Sequence, residues 1–319
     1  MGGFLGELSK KLAERWLTLL VLPGALYLAV AAIARTLGRA GPAHALDVGR
    51  VTAQVTAWAK DPAATTAGGQ VVLVAGILAG AAAAGLAAQA LGSGVERLAL
   101  ASGWHGWPRP LRSLAQRRVE NRRKRWKDAH DDYHRLYGEA RTVLSGAQPD
   151  QQEVEKKRKK RHAAFRTRTR IALEEPDRPT WMGDRVHAVT LRLRRDLNLD
   201  LPTVWPVLWL HLPDTARSEI TAARQALARA ATLGGWAVLY LLLLWWWWPA
   251  LPISVVVVAI AWRRTRTAVN AYATLVEAAV RLHVRDLAEQ IGVDPAGKHL
   301  PALGDTLTHR LRSEPPGPV

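Results

Sequence analysis

Two histidines four residues apart, in His130-Asp131-Asp132-Tyr133-His134, carry the chain's clearest hint of metal chemistry. On a helix this spacing puts both rings on one face, as in the His-Glu-x-x-His proteins that hold zinc. Here Asp131 replaces the glutamate and is one methylene shorter, and no downstream Glu or His stands at a fitting distance. The surrounding RRKRWKDAHDDYHRLYGEAR reads as a solvated helix of alternating charge. His130 and His134 are therefore weak metal candidates, and no metal is expected.

Lys156, Lys157, Arg158, Lys159, Lys160 and Arg161 form an unbroken basic run, continued by Arg166, Arg168 and Arg170. As a topology determinant the run needs no partner. Against anionic lipid headgroups, each residue near the surface would contribute roughly 1 kcal/mol. Nucleic acid is not an expected partner, because clustered stacking aromatics and any recognisable motif are missing. Cysteine is absent, which removes disulfides, thiolate metal sites and a cysteine nucleophile. No Gly-rich phosphate loop, Gly-x-Ser-x-Gly elbow or pair of carboxylates in an apolar setting occurs. The chain is not read as an enzyme, and no cofactor is expected.

The elements that carry these residues are governed by a bilayer. Residues 233–262, LGGWAVLYLLLLWWWWPALPISVVVVAIAW, contain no charge. A membrane helix needs only about twenty such residues. Residues 16–34 are likewise uncharged, and so are residues 70–91. The second of these carries Gly76 and Gly80 as GxxxG, with Ala81 and Gly85 one residue out of register; such faces let backbones approach closely. A signal peptide competes for the first stretch, with Ala43-His44-Ala45 as its cleavage site. The uncharged run is longer than the usual h-region, so retention as an anchor is expected.

Charge sets the orientation. Lys10, Lys11 and Arg15 place the N-terminus in the cytoplasm, and the 38–69 loop, with a net charge of +1, lies outside. Residues 92–229 hold 29 Lys and Arg against 17 Asp and Glu, a net of +12 out of the chain's +17, and belong inside. Arg263, Arg264 and Arg266 also fall inside if the 233–262 tract crosses twice, snorkelling toward the headgroups. Expected are an amphipathic helix at 1–15, spans at 16–37, 70–91, 230–248 and 253–271, an external turn at 249–252, and a cytoplasmic helix and tail at 272–319. Trp245, Trp246, Trp247 and Trp248 are expected to anchor at the outer interface.

Within the basic region, Val119, Trp126, Tyr133 and Ala140 recur every seven residues, a short heptad seam. A break at 146–150 and a second helix predict an antiparallel hairpin. Pro202, Pro206 and Pro213 forbid a long helix over 199–213, where Trp205 and Trp209 suit a membrane interface.

Residues 179–295 run Pro-Thr-x-x-Gly-Asp-Arg, a helix, an Asn-Leu-Asp turn, Trp-Pro-x-Leu-Trp, a Leu-Pro stop, a helix and an apolar hairpin. With Glu-Arg-Trp-Leu-x-Leu-Leu-Val-Leu-Pro-Gly-Ala-Leu-Tyr-Leu-Ala at 14–29 and His44-Ala45-Leu46-Asp47, this order resembles a family of uncharacterised bacterial, mainly actinobacterial, multi-pass membrane proteins. The family has Asn more often than Asp184 after the glycine, and a Tyr-Gly pair near Leu197-Asn198. The resemblance covers just over half the chain and implies a multi-pass plasma-membrane protein without an assigned activity. The expected class is all-α: four membrane spans with a cytoplasmic helical-hairpin insert and both termini cytoplasmic. The expected role is a membrane scaffold or sensor acting through the lipid bilayer, an unidentified protein partner or its own homo-oligomer. The alternative is an oligomeric pore-forming or membrane-disrupting effector in bacterial defence.

Overall fold

The computed structural model describes residues 21–39, 41, 44–60, 65–145, 150–294, 296–297 and 299–312. The expected amphipathic segment 1–15 lies outside them, as does Ala43 of the cleavage candidate. All the regular structure among the described residues is helical. The helices are α1 (Leu22–Gly38), α2 (Val48–Ala59), α3 (Ala67–Leu100), α4 (Arg109–Leu144), α5 (Gln151–Ile171), α6 (Trp181–Leu197), α7 (Leu201–His211), α8 (Asp214–Leu242), α9 (Ala250–Gln290) and α10 (Leu300–Leu311).

Local chemistry sets their ends. The Asp47 carboxylate accepts the Arg50 N–H at 3.2 Å, Asp150 that of Gln152 at 2.9 Å, and Thr180 Oγ1 that of Gly183 at 3.0 Å, each satisfying an orphan donor of a first turn. Asn198 closes α6 at φ 50° and ψ 30°, a left-handed conformation open to Asn and Gly.

Two expected boundaries move. The turn expected at 249–252 comes earlier, with Leu243–Trp245 as a 3-10 turn and α9 already started at Ala250. Pro252 fits inside the first turn of α9, where a missing N–H removes no helical bond. The span expected at 253–271 is not a separate element, because no Pro or Gly interrupts the chain between Pro252 and Gly292 and α9 continues to Gln290. In α7, Pro206 is tolerated inside an 11-residue helix. Val204 and Leu208 fill the core from one side of α7 while Pro206 is exposed.

The chain divides into two units, and α3, α8 and α9 contribute residues to both. Unit one draws on Met1–Glu96 and Leu227–Thr265. Small residues at helical spacing, Ala81, Gly85, Ala88 and Gly92, are buried along α3. A methyl added to Gly24 of α1 would overlap the Ala81 carbonyl, and one on Gly235 of α8 would overlap the Ala88 carbonyl. Backbones touch there because no side chain stands between them. Gly76 meets nothing within 4 Å, so the packed face is the Ala81-Gly85 register and Gly76 points outward. Tyr27 of α1 packs on Trp236 and Tyr240 of α8, with ring centroids 6.0 and 5.4 Å away. Ile253 and Val257 of α9 join the same apolar clusters.

The outside of unit one is apolar as well. Val71, Val72, Val74 and Ile77 of α3 are exposed, as are Val255, Val256 and Ile260 of α9. Two helical stretches, Ala67–Leu100 and Asp214–Trp245, are long and apolar enough to cross a membrane; α1 is a shorter apolar helix.

Unit two draws on Arg97–Ala226 and Arg266–Val319. α4 and α5 form an antiparallel pair. Glu139 meets Lys157, Tyr137 lies under Arg161, Tyr133 packs on Phe165, and His130 contacts Arg168, so each step down one helix matches a step up the other. Of the expected seam, Val119, Trp126 and Ala140 are buried and Tyr133 is half-buried. A second core joins Leu193 and Leu197 of α6, Leu208 of α7, Ile220 of α8, Val280 and Leu287 of α9, and Leu303 and Leu307 of α10. Trp205 and Trp209 pack half-buried against this core. A methyl on Gly304 would overlap the Leu197 carbonyl, and the Asp200 N–H donates to Thr308 Oγ1 at 3.1 Å.

Candidate functional site

The best-organised polar site in unit two is the loop between α5 and α6, residues 172–180, with the first turn of α6. Pro176 and Pro179 stop helix formation here, so the loop's amides need other acceptors. Asp184 supplies one. Its Oδ1 accepts the Asp177 and Arg178 N–H groups at 2.9 and 2.7 Å. Its Oδ2 accepts Arg122 Nη2 from α4 at 2.6 Å, and the same nitrogen donates to the Ile171 carbonyl at 2.9 Å. Trp126 Nε1 donates to the Ala172 carbonyl at 3.0 Å, and Arg123 Nε to that of Pro176 at 2.9 Å.

The Pro-Thr-x-x-Gly-Asp-Arg string fixes the other side. Thr180 Oγ1 donates to the Ala99 carbonyl at 2.5 Å while capping α6, and Arg178 Nη1 donates to the Ala101 carbonyl at 3.1 Å. A methyl on Gly183 would overlap the Leu100 carbonyl, so only glycine lets α6 approach that turn. Arg185 is 6% exposed; its Nε donates to Asn270 Oδ1 at 2.8 Å and its Nη2 to Thr274 Oγ1 at 2.9 Å, both on α9. Its Nη1 is buried without a partner.

Burial dominates the electrostatics. It pushes the Asp184 carboxyl above its ordinary range, against the pull of Arg122 and the two amides. It lowers Arg122 against the pull of Asp184, and Arg185 against that of Glu277. His187, 3.9 Å from Asp177, is lowered by burial and then by Arg178. Both Asp184 oxygens are engaged, three of the carboxylate's roughly four acceptor positions are filled, and the side chain is 4% exposed, so this carboxylate anchors a loop.

The sequence-predicted residues sit elsewhere. His130 and His134 lie adjacent on α4 with centroids 4.3 Å apart, but His130 stacks on Trp126 and its Nδ1 is 3.4 Å from Arg168 Nη1. A guanidinium so close opposes a second cation, and no group of three metal-binding side chains occurs among the described residues. In the basic run Lys157 pairs with Glu139 at 2.7 Å, Arg158 and Lys159 with Glu155 at 3.0 and 3.8 Å, and Arg161 lies over Tyr137; Lys156 and Lys160 point outward. The tryptophan quartet splits. Trp245, Trp246 and Trp248 are exposed, whereas Trp247 Nε1 donates to the Ala45 carbonyl at 2.7 Å.

Sequence reasoning missed Arg122, Asn270 and Thr274, which are remote from the loop in the chain and lie on helices that read as merely charged or apolar. Residues 109–171 alone hold 20 Lys and Arg against 8 Asp and Glu, so the net +12 of residues 92–229 belongs to the hairpin. No known protein family, characterised protein or solved structure matches the chain.

Proposed function

We propose that the chain is a four-span protein of the bacterial plasma membrane whose helical unit two, held in the cytoplasm, serves as a scaffold or sensor through protein partners or its own oligomer. One observation carries the membrane part: the apolar side chains of unit one face outward. Only 17% of the most apolar stretch of Ala67–Leu100 is buried, whereas the core helix of a soluble protein is mostly buried. Trp245 at 88% and Val72 at 73% exposure would be costly in water and are at home in a bilayer. α1 and the start of α9 supply the first and fourth spans. The scaffold part rests on a site whose charges are used to fix a loop and a surface and not to hold reacting atoms.

Membrane fractionation with carbonate washing tests the first part: the protein should stay in the pellet and leave it only with detergent. Pull-down from cross-linked membranes tests the second, with a stoichiometric partner or a second copy expected. Ion leakage from protein-loaded liposomes would instead favour the pore-forming alternative.

A further inference from the structure

Arginines crowd the start of α6, and Asp184 neutralises one of them, Arg122. Arg266 of α9 lies over Trp181, its Cζ 4.1 Å from the ring centroid. Three residues along, Asp184 holds Arg122. Arg122 also binds the Ile171 carbonyl, next to Arg170. Arg122 lies in the fields of Arg118 and Arg266, and Arg266 in that of Arg170. Arg118, Arg170 and Arg266 form no ion pair among the described residues. Like charges in one another's field repel, and an anion bound between them relieves that repulsion.

We propose that Arg170 and Arg266, with Trp181 as floor and Arg118 at the rim, bind a phosphate group. A phosphate offers acceptor oxygens to two guanidiniums at once, a geometry to which lysine is less suited. Arg266 stands one helical turn beyond Trp262, the last residue of the uncharged tract. A lipid headgroup phosphate is therefore one source, which rests on the membrane reading above; free phosphate is the other.

The test uses the full chain in neutral detergent, with native mass spectrometry counting bound phosphatidylglycerol against phosphatidylcholine and a thermal shift recording inorganic phosphate. Arg170→Gln and Arg266→Gln should each lower phosphatidylglycerol retention about fivefold, and the two combined should lower it further. Arg170→Lys with Arg266→Lys should recover part of the loss. Lys124→Gln with Arg141→Gln, two exposed residues whose replacement removes the same charge as the arginine double elsewhere on the hairpin, should bind like wild type. Equal losses in the two charge-matched double variants, or none in the arginine variant, would overturn the proposal. A thermal shift with inorganic phosphate that the arginine variants lose, without lipid preference, assigns the site to free phosphate. Carbonate extraction is run in parallel: a protein released from the pellet removes the lipid source and the membrane reading, while the phosphate arm still decides the site.

Discussion

Arg122 and Asp184, 62 residues apart in sequence, meet at 2.6 Å with side chains only 13% and 4% exposed. Their contact joins the α4–α5 hairpin to the first turn of α6 and holds the loop between them. Removing one partner leaves a buried charge unpaired, a loss of about 3–5 kcal/mol. Asp184→Ala should therefore lower the thermal midpoint of unit two sharply, as followed by circular dichroism. Arg122→Met combined with Asp184→Asn keeps an oxygen for the two loop amides and should recover much of that loss. A double variant as weak as Asp184→Ala would show that packing, not charge, is at stake.

The same pair gives stability an unusual pH slope. Burial holds the folded Asp184 value above the unfolded one, so the native chain binds this proton more tightly. The carboxyl's contribution is complete below its ordinary value and is lost as pH rises through the window up to the raised value. Wild type should lose stability relative to Asp184→Asn across that window in paired denaturation curves. A gain would mean that Arg122 and the amides outweigh desolvation.

Glycines separate by what they face. Gly183→Ala must displace the Leu100 carbonyl and should cost about 1–3 kcal/mol. Gly76→Ala enters open space, so its thermal midpoint should match or exceed wild type. If the Gly76 face binds a second copy, Gly76→Leu should reduce the cross-linked dimer while leaving helicity intact.

Because the chain lacks cysteine, each introduced thiol is a single reporter. An impermeant maleimide added to intact cells should label Thr52→Cys on α2 and spare Ser145→Cys and Ala302→Cys until the cells are opened. External labelling of Ala302→Cys would remove the double crossing of the 233–262 tract.

His130 sits below its ordinary value through burial, reinforced by His134 and Arg168. It should remain neutral at pH 7 in an NMR titration, and its stabilising contribution should fade as pH drops through the usual imidazole value. Purified protein should carry no stoichiometric zinc, and His134→Ala should leave metal content unchanged. Stoichiometric zinc lost in that variant would restore the metal reading.

Periodicity and charge made the helical class, the Val119-Trp126-Ala140 seam and the hairpin legible, because each depends on neighbours three to seven residues away. The end of the last apolar segment was harder to read. Charge at Arg263 argued for a boundary, but a charge does not by itself break a helix, and no Pro or Gly comes between Pro252 and Gly292. Trp247 could not be told from Trp245 in a run of identical residues, since the partner that separates them is the distant Ala45 carbonyl. The Arg122, Asp184 and Arg185 contacts were illegible for the same reason. Their partners come from other helices, and a single chain's spacing carries no record of them.

The core of unit two is built from residues 189–220 together with residues 273–307. During synthesis the first group leaves the ribosome long before the second, at roughly 5–20 residues per second. Leu193 and Leu208 must therefore wait, uncovered, until α10 brings Leu303 and Leu307. The α4–α5 hairpin, whose contacts lie close in the chain, can form at once. Until α10 has emerged, the core of unit two presents an open apolar face to the quality-control machinery.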